Sequence, residues 1–290
     1  MCKTFNLEGS LNILKDFMKQ KGIKTIDEFM PFLEKYSFHE LYSNEEYRRF
    51  GNQKNYEDGD CTKLAYAIYS IIWYEDMKKL GLTVFSEDNF EKYKNSFSGD
   101  TINTFYTLFG KSERTQNWVL SLLNLNSDER KLYEQFKVLY QTIGNFYFLP
   151  KNTINRKSIN TYRGIVWNDF FDIFLKALKD LTENNYSSDK DFRALFDANC
   201  FFFDKVKTVD DFLRLFYLKD EQESYNYLND FVFEENGNHY RHNMLILKNK
   251  SEYKKFVVEY MTKANTLIEK RSRVLVRELG RRLKELNFSL

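Results

Sequence analysis

Residues 251–286 read SEYKKFVVEYMTKANTLIEKRSRVLVRELGRRLKEL. Within them Phe256, Val257, Tyr260, Met261, Ala264, Leu267, Ile268, Leu275, Leu279 and Leu283 recur three or four positions apart. That is the period of one helix face, so the spacing predicts a long amphipathic helix, with Gly280 as the place where it would break. On the opposite face Lys270, Arg273, Arg277, Arg281 and Lys284 form a basic stripe at spacings of three, four, four and three. A stripe of this kind suits a phosphate backbone or an acidic protein surface, and the competing expectation is an ordinary solvated helix face.

Working outward, the same helical period recurs along most of the chain. Asp60 to Leu80 carries Leu64, Ala67, Ile68, Ile71, Ile72 and Tyr74, which predicts a largely buried helix stopped by Gly81. Ser10 is expected to cap a helix with Leu11, Ile13, Leu14, Phe17 and Met18 on its inner face. Thr25 with Glu28, and Thr208 with Asp211, have the form of helix-starting capping pairs, although Pro31 weakens the first of these helices. Further helices are expected around 101–109, 117–125, 127–140 and from Trp167 onward, where Phe170, Phe171, Phe174, Leu175 and Leu178 turn inward.

Two stretches lack the helical period. Residues 142–160 predict an ordered loop or a short extended segment, and they are the natural place for a sub-boundary. Phe231 to Leu247 has two apolar runs around an Asn-Gly turn signal and predicts a hairpin. The expected fold is therefore mainly α: an irregular multi-helix globular fold, one compact domain over 1–290, with at most a small β-hairpin near 231–247.

Composition narrows the function classes. With 290 residues the chain can bury a large core without a staple, and 44 basic against 42 acidic residues give a formal charge of only +2. Any preference for nucleic acid must therefore come from a local patch. Phe and Tyr are abundant, which an AT-rich genome produces whatever the function. Three widely spaced cysteines, Cys2, Cys61 and Cys200, argue against a disulfide framework or a thiolate zinc site. The N-terminus lacks a secretory pattern, and the longest mainly apolar segment, Leu64 to Tyr74, is about half of the ~20 residues a membrane span needs. The expectation is a cytoplasmic protein with no membrane association.

Signatures for phosphate loops, dinucleotide turns, zinc proteases and serine hydrolases are absent from the sequence. Only three histidines occur, so no metal centre or cofactor is expected. His239 and His242 would share a face in a helix and act as an acid–base pair with Arg241 holding phosphate, but in the strand expected there alternation separates them. Asp169 and Asp172 stand three apart at the start of a predicted helix and could act as catalytic base or metal ligands, with Arg156 or Arg163 clamping a phosphate. Acids in a first helical turn also simply complement the macrodipole.

Thr142-Ile-Gly-Asn-Phe146, Pro150, Ile159-Asn-Thr-Tyr-Arg-Gly164 and Asp169-Phe-Phe-Asp172 resemble the central signature of a bacterial family known as domain of unknown function six-nine-nine-four. Upstream, the Trp73 helix and Gly99 to Phe105 are similar to its other landmarks, as are Phe201 to Phe203, Phe212 to Asp220 and Ile268 to Arg273 downstream. The likeness spans roughly residues 60–275. Where the family pattern places a basic residue between the two aspartates, this chain has Phe170 and Phe171. The resemblance implies no activity. It does group Asn145, Arg156, Asn160, Arg163, Asp169 and Asp172 as one neighbourhood.

The reading that follows is a helical macromolecule-recognition protein, in a phage-defence or counter-defence setting, that engages a protein or nucleic acid through Lys270, Arg273, Arg277 and Arg281. The alternative is an enzyme acting on an RNA or nucleotide phosphate through Asp169, Asp172, Arg156 and Arg163.

Overall fold

The computed structural model describes residues 7–41, 59–80, 95–152, 157–158, 170–184, 190–233 and 249–290. Along these run α1 (Leu7–Gln20), α2 (Ile26–Lys35), α3 (Lys63–Ile72), α4 (Tyr74–Leu80), β1 (Asn95–Thr101), α5 (Tyr106–Phe109), α6 (Glu113–Leu123) and α7 (Ser127–Leu139). A 3-10 turn at Ile143–Asn145 leads into β2 (Phe146–Asn152) and β3 (Lys157–Ser158). Then follow α8 (Phe171–Asn184), α9 (Lys190–Ala198), α10 (Cys200–Phe203), α11 (Val209–Leu215), β4 (Lys219–Asp220), β5 (Tyr225–Asn226), α12 (Tyr227–Asp230) and α13 (Lys250–Glu285). The fold is mainly α.

Helix α13 is one uninterrupted rod of 36 residues, about 54 Å long at the usual rise per residue. Gly280 does not break it, because nothing in a helix forces a glycine out of helical geometry once both neighbouring turns are packed. A Cβ at that position would lie 3.3 Å from the Met30 sulfur, so the glycine marks where α2 crosses closely. The inner face of α13 buries the expected apolar residues from Phe256 to Leu283, against α2, α3, α6, α7 and the 3-10 turn.

At the N-terminal side the local signals resolve in different ways. Thr25 and Glu28 form the expected reciprocal cap of α2, and Pro31 sits inside that helix. The proline forgoes one hydrogen bond, while Phe29 and Leu33 on the same turn are fully buried, which compensates. Ser10 is not a cap: α1 already starts at Leu7, and Ser10 lies inside it, buried on the core side.

The helix expected from Asp60 to Leu80 is two helices. Thr62 caps α3 by accepting from the Ala65 amide, and every residue from Leu64 to Ile72 is buried. Trp73 then leaves helical geometry, and its fully buried indole donates from Nε1 to the Leu215 carbonyl at 2.6 Å. Trp73 thus separates α3 from α4. Gly81 lies outside the described residues.

The Asn-Gly signal at 236–237 lies outside the described residues, and the strands that are described come from other parts of the chain. β1, β2 and β3 form an antiparallel sheet in that order, with Gly99 opposite Phe148, Asp100 opposite Tyr147 and Thr101 opposite Phe146. Phe146, Tyr147, Phe148 and Leu149 are all fully buried, so β2 reads as a continuous apolar run enclosed on both faces rather than an alternating one. For residues 142–160, expected to be an ordered loop or a short extended segment, the extended form holds at Phe146–Asn152, and Ile143 and Phe146 to Leu149 belong to the same hydrophobic cluster that extends from Leu14 to Leu283. A second, two-residue ladder pairs β4 with β5. Of the hairpin expected near 231–247, only Phe231 to Phe233 are described: Phe231 is in a turn, and Val232 and Phe233 belong to no regular element.

Candidate functional site

Two groups of polar side chains flank α13: a basic stripe on its outer face and a polar centre on its inner face.

The stripe is exposed, but its charges are already matched. The short β4–β5 hairpin lies against α13 and presents Asp220 and Glu223. Arg273 donates from Nε to Glu223 at 2.8 Å, and Arg277 bridges Asp220 at 3.0 Å and Glu223 at 3.7 Å. Lys270 donates to the Ser224 carbonyl at 2.9 Å. Arg281 pairs with Glu278 and Glu285 one turn to either side, Arg282 pairs with Glu278 at 3.1 Å, and Lys284 lies 3.6 Å from Asp27. Partial burial pushes the Glu278 carboxyl up, but the hydrogen bond from Arg281 and the charges of Arg281 and Arg282 outweigh it and hold the group below its ordinary range. The side chains of Arg273, Arg277 and Arg281 nevertheless remain 41%, 42% and 47% exposed. The face is therefore a mixed-sign array with fixed geometry rather than a bare cationic strip.

The inner face holds an arginine that reading the sequence as a stripe overlooked. Arg271 is fully buried. Its Nε donates to the Phe216 carbonyl at 3.0 Å, and its Nη1 donates to the carbonyls of Gly144 at 2.7 Å and Phe146 at 2.8 Å. These acceptors sit at the C-terminal ends of α11 and of the 3-10 turn, where unsatisfied carbonyls carry partial negative charge and favour a cation. No carboxylate pairs with it among the described residues. Burial pushes the guanidinium below its ordinary pKa, and Tyr227, Tyr225, Tyr69 and Tyr147 are among the groups that face it. The sequence did carry a signal: Arg271 falls in step with Ile268 and Leu275, on the apolar period rather than the basic one.

Beside it Asn145 is fully buried and completely engaged. Its Oδ1 accepts from the Asn103 amide at 2.7 Å and from Asn103 Nδ2 at 2.9 Å, while its Nδ2 donates to the carbonyls of Asn103 at 3.0 Å and Tyr140 at 2.9 Å. The side chain works as a clasp between the turn after β1 and the end of α7. Asp172 lies in the first turn of α8, 2% exposed, with its Oδ2 accepting from the Phe233 amide at 3.4 Å. Of the neighbourhood grouped from sequence, Asn145 and Asp172 are placed. Arg156, Asn160, Arg163 and Asp169 lie outside the described residues, as do His239, Arg241 and His242.

Among the described residues no group of three or more His, Cys, Asp or Glu side chains is arranged to hold a metal ion, and no helix is long and apolar enough to cross a membrane. A mainly α scaffold with a charged outer face and a buried polar centre defines the class. The chain belongs to the family of unknown function DUF6994, whose pattern matches residues 58–275. No curated protein and no solved structure matches it. The matched span takes in β1, the Asn145 clasp, the β4–β5 hairpin and Arg271, and leaves α1, α2 and the last turns of α13 outside.

Proposed function

We propose that this chain is a recognition protein, and that the face formed by the second half of α13 together with the β4–β5 hairpin docks another protein. The observation that carries this reading is that Arg273, Arg277 and Arg281 are held in fixed positions by Glu223, Asp220, Glu278 and Glu285 while staying nearly half-exposed. Side chains positioned in advance lose less rotamer freedom on binding, which favours specific association. Alternating charges also favour a partner of complementary mixed charge over a polyanion, since a phosphate backbone would have to displace the carboxylates already in place.

The test is co-purification from the native host, with mass spectrometry and nucleic-acid analysis, using the wild-type chain and the combined variant Arg273→Glu, Arg277→Glu, Arg281→Glu. A discrete protein recovered with the wild type and lost from the variant is the expected result. Recovery of the same partner by both, with the same salt dependence, would exclude this face. Recovery of nucleic acid with a steep salt dependence would instead make the stripe a phosphate-binding surface.

A further inference from the structure

Arg273, Arg277 and Arg281 share one face but are not equivalent. A guanidinium carries five N–H donors, and those on its two terminal nitrogens form a fork that matches a carboxylate. Arg281 has committed all three nitrogens, Nε and Nη2 to Glu278 and Nη1 to Glu285. Arg277 has committed its fork, with Nη2 3.0 Å from Asp220 and Nη1 3.7 Å from Glu223. Arg273 differs. It donates only from Nε, to Glu223 Oε2 at 2.8 Å, so among the described residues its fork has no acceptor, while the side chain stays 41% exposed.

Lys270 precedes Arg273 by three positions on the same helix, a spacing that makes side chains neighbours, about 5–6 Å apart at Cβ. Its ammonium donates to the Ser224 carbonyl at 2.9 Å, and Arg273 holds the adjoining Glu223, so both cations are tethered to the same end of the β4–β5 turn. Each keeps donors to spare. A carboxylate placed between them accepts from the Arg273 fork and from Lys270 Nζ together. A singly charged group suits the place better than a phosphate dianion, because Asp220 and Glu223 already bring negative charge to it. The geometry points to an aspartate or glutamate of a protein partner, seated between Lys270 and Arg273, as the anchor of docking on this face. Arg277 and Arg281 hold the surrounding surface in shape.

This inference rests on the docking reading above and narrows it to one end of the face. The test is selection from a displayed library of random short peptides on the immobilised full chain, followed by affinity measurement on the peptides recovered. The wild type should enrich peptides that carry Asp or Glu. Arg273→Gln gives up one solvent-exposed ion pair and should fold, and it should bind those peptides about tenfold more weakly, the loss of one charge-assisted contact. Lys270→Gln, which gives up only a bond to a carbonyl, is a second reporter in the same direction. Replacing the peptide's acid by its amide should weaken wild-type binding by the same factor and leave Arg273→Gln binding as it was, which a merely structural role for Arg273 would not produce. Enrichment without an acidic residue, no enrichment at all, or a loss in Arg281→Gln as large as in Arg273→Gln overturns the anchor. If the anchor falls while a host partner is still lost from the triple charge reversal, the docking face stands without it.

Discussion

Gly144 lies directly against Ser272 of α13, so closely that a Cβ built on the glycine would stand 2.9 Å from the Ser272 amide nitrogen and nearer still to the Ile268 carbonyl. Both obstructing groups are backbone of a helix, which cannot rotate aside as a side chain would.

Gly144→Ala should therefore destabilise the fold by about 2–3 kcal/mol, the cost of overpacking a site that cannot relax. Urea unfolding should show a lower midpoint with an unchanged slope. A variant as stable as the wild type would mean that α13 and the 3-10 turn are farther apart than described.

Asn145→Ala should cost about 2–4 kcal/mol, because it leaves buried groups of Asn103 and Tyr140 unpaired as well as removing the clasp. The loss should appear in urea unfolding without any ligand added. Full stability in the variant would return Asn145 to the ligand-binding role suggested by the sequence.

Trp73→Phe keeps most of the ring but strands the Leu215 carbonyl, which now accepts from Nε1. A loss of about 1–3 kcal/mol is expected from the unpaired acceptor and the smaller ring. Unfolding followed by tyrosine fluorescence or circular dichroism would measure it.

Burial pushes the Tyr227 hydroxyl up to about 12, against the ordinary tyrosine value of 10.0. The folded form keeps its proton where the unfolded form has lost it, so this contribution is intact below pH 10.0 and drains away as pH rises toward about 12. Across that window stability should fall by about 1.4 kcal/mol per pH unit on account of this one group. Tyr227→Phe should flatten the alkaline limb of the stability profile by that amount, and an unaltered limb would show that Tyr227 does not titrate there.

Periodicity made the helices legible because it records which side chains face inward: α13, α7 and both threonine capping pairs stand where the spacing placed them. It could not find β1, whose residues Asn95-Ser-Phe-Ser-Gly-Asp-Thr101 are mostly polar and become a strand only through pairing with β2. Nor could it divide α3 from α4, since the break depends on Leu215, far away in the chain. The charged stripe was legible as a list of cations but not as an ion-pair array, because Asp220 and Glu223 arrive from another element. Arg271 was hidden by the habit of assigning arginines to the surface, although its place in the apolar period was visible.

Helix α13 closes the core against α2, α3, α6 and α7, yet it is synthesised after every one of them. Until the ribosome has delivered it, the aromatic inner faces of those earlier helices have no wall to rest on, and final assembly must wait for that last rod. Chaperone capture of the nascent chain is thus expected to be heaviest before residue 250 emerges, and truncation ahead of α13 should yield an aggregating product instead of a smaller folded one.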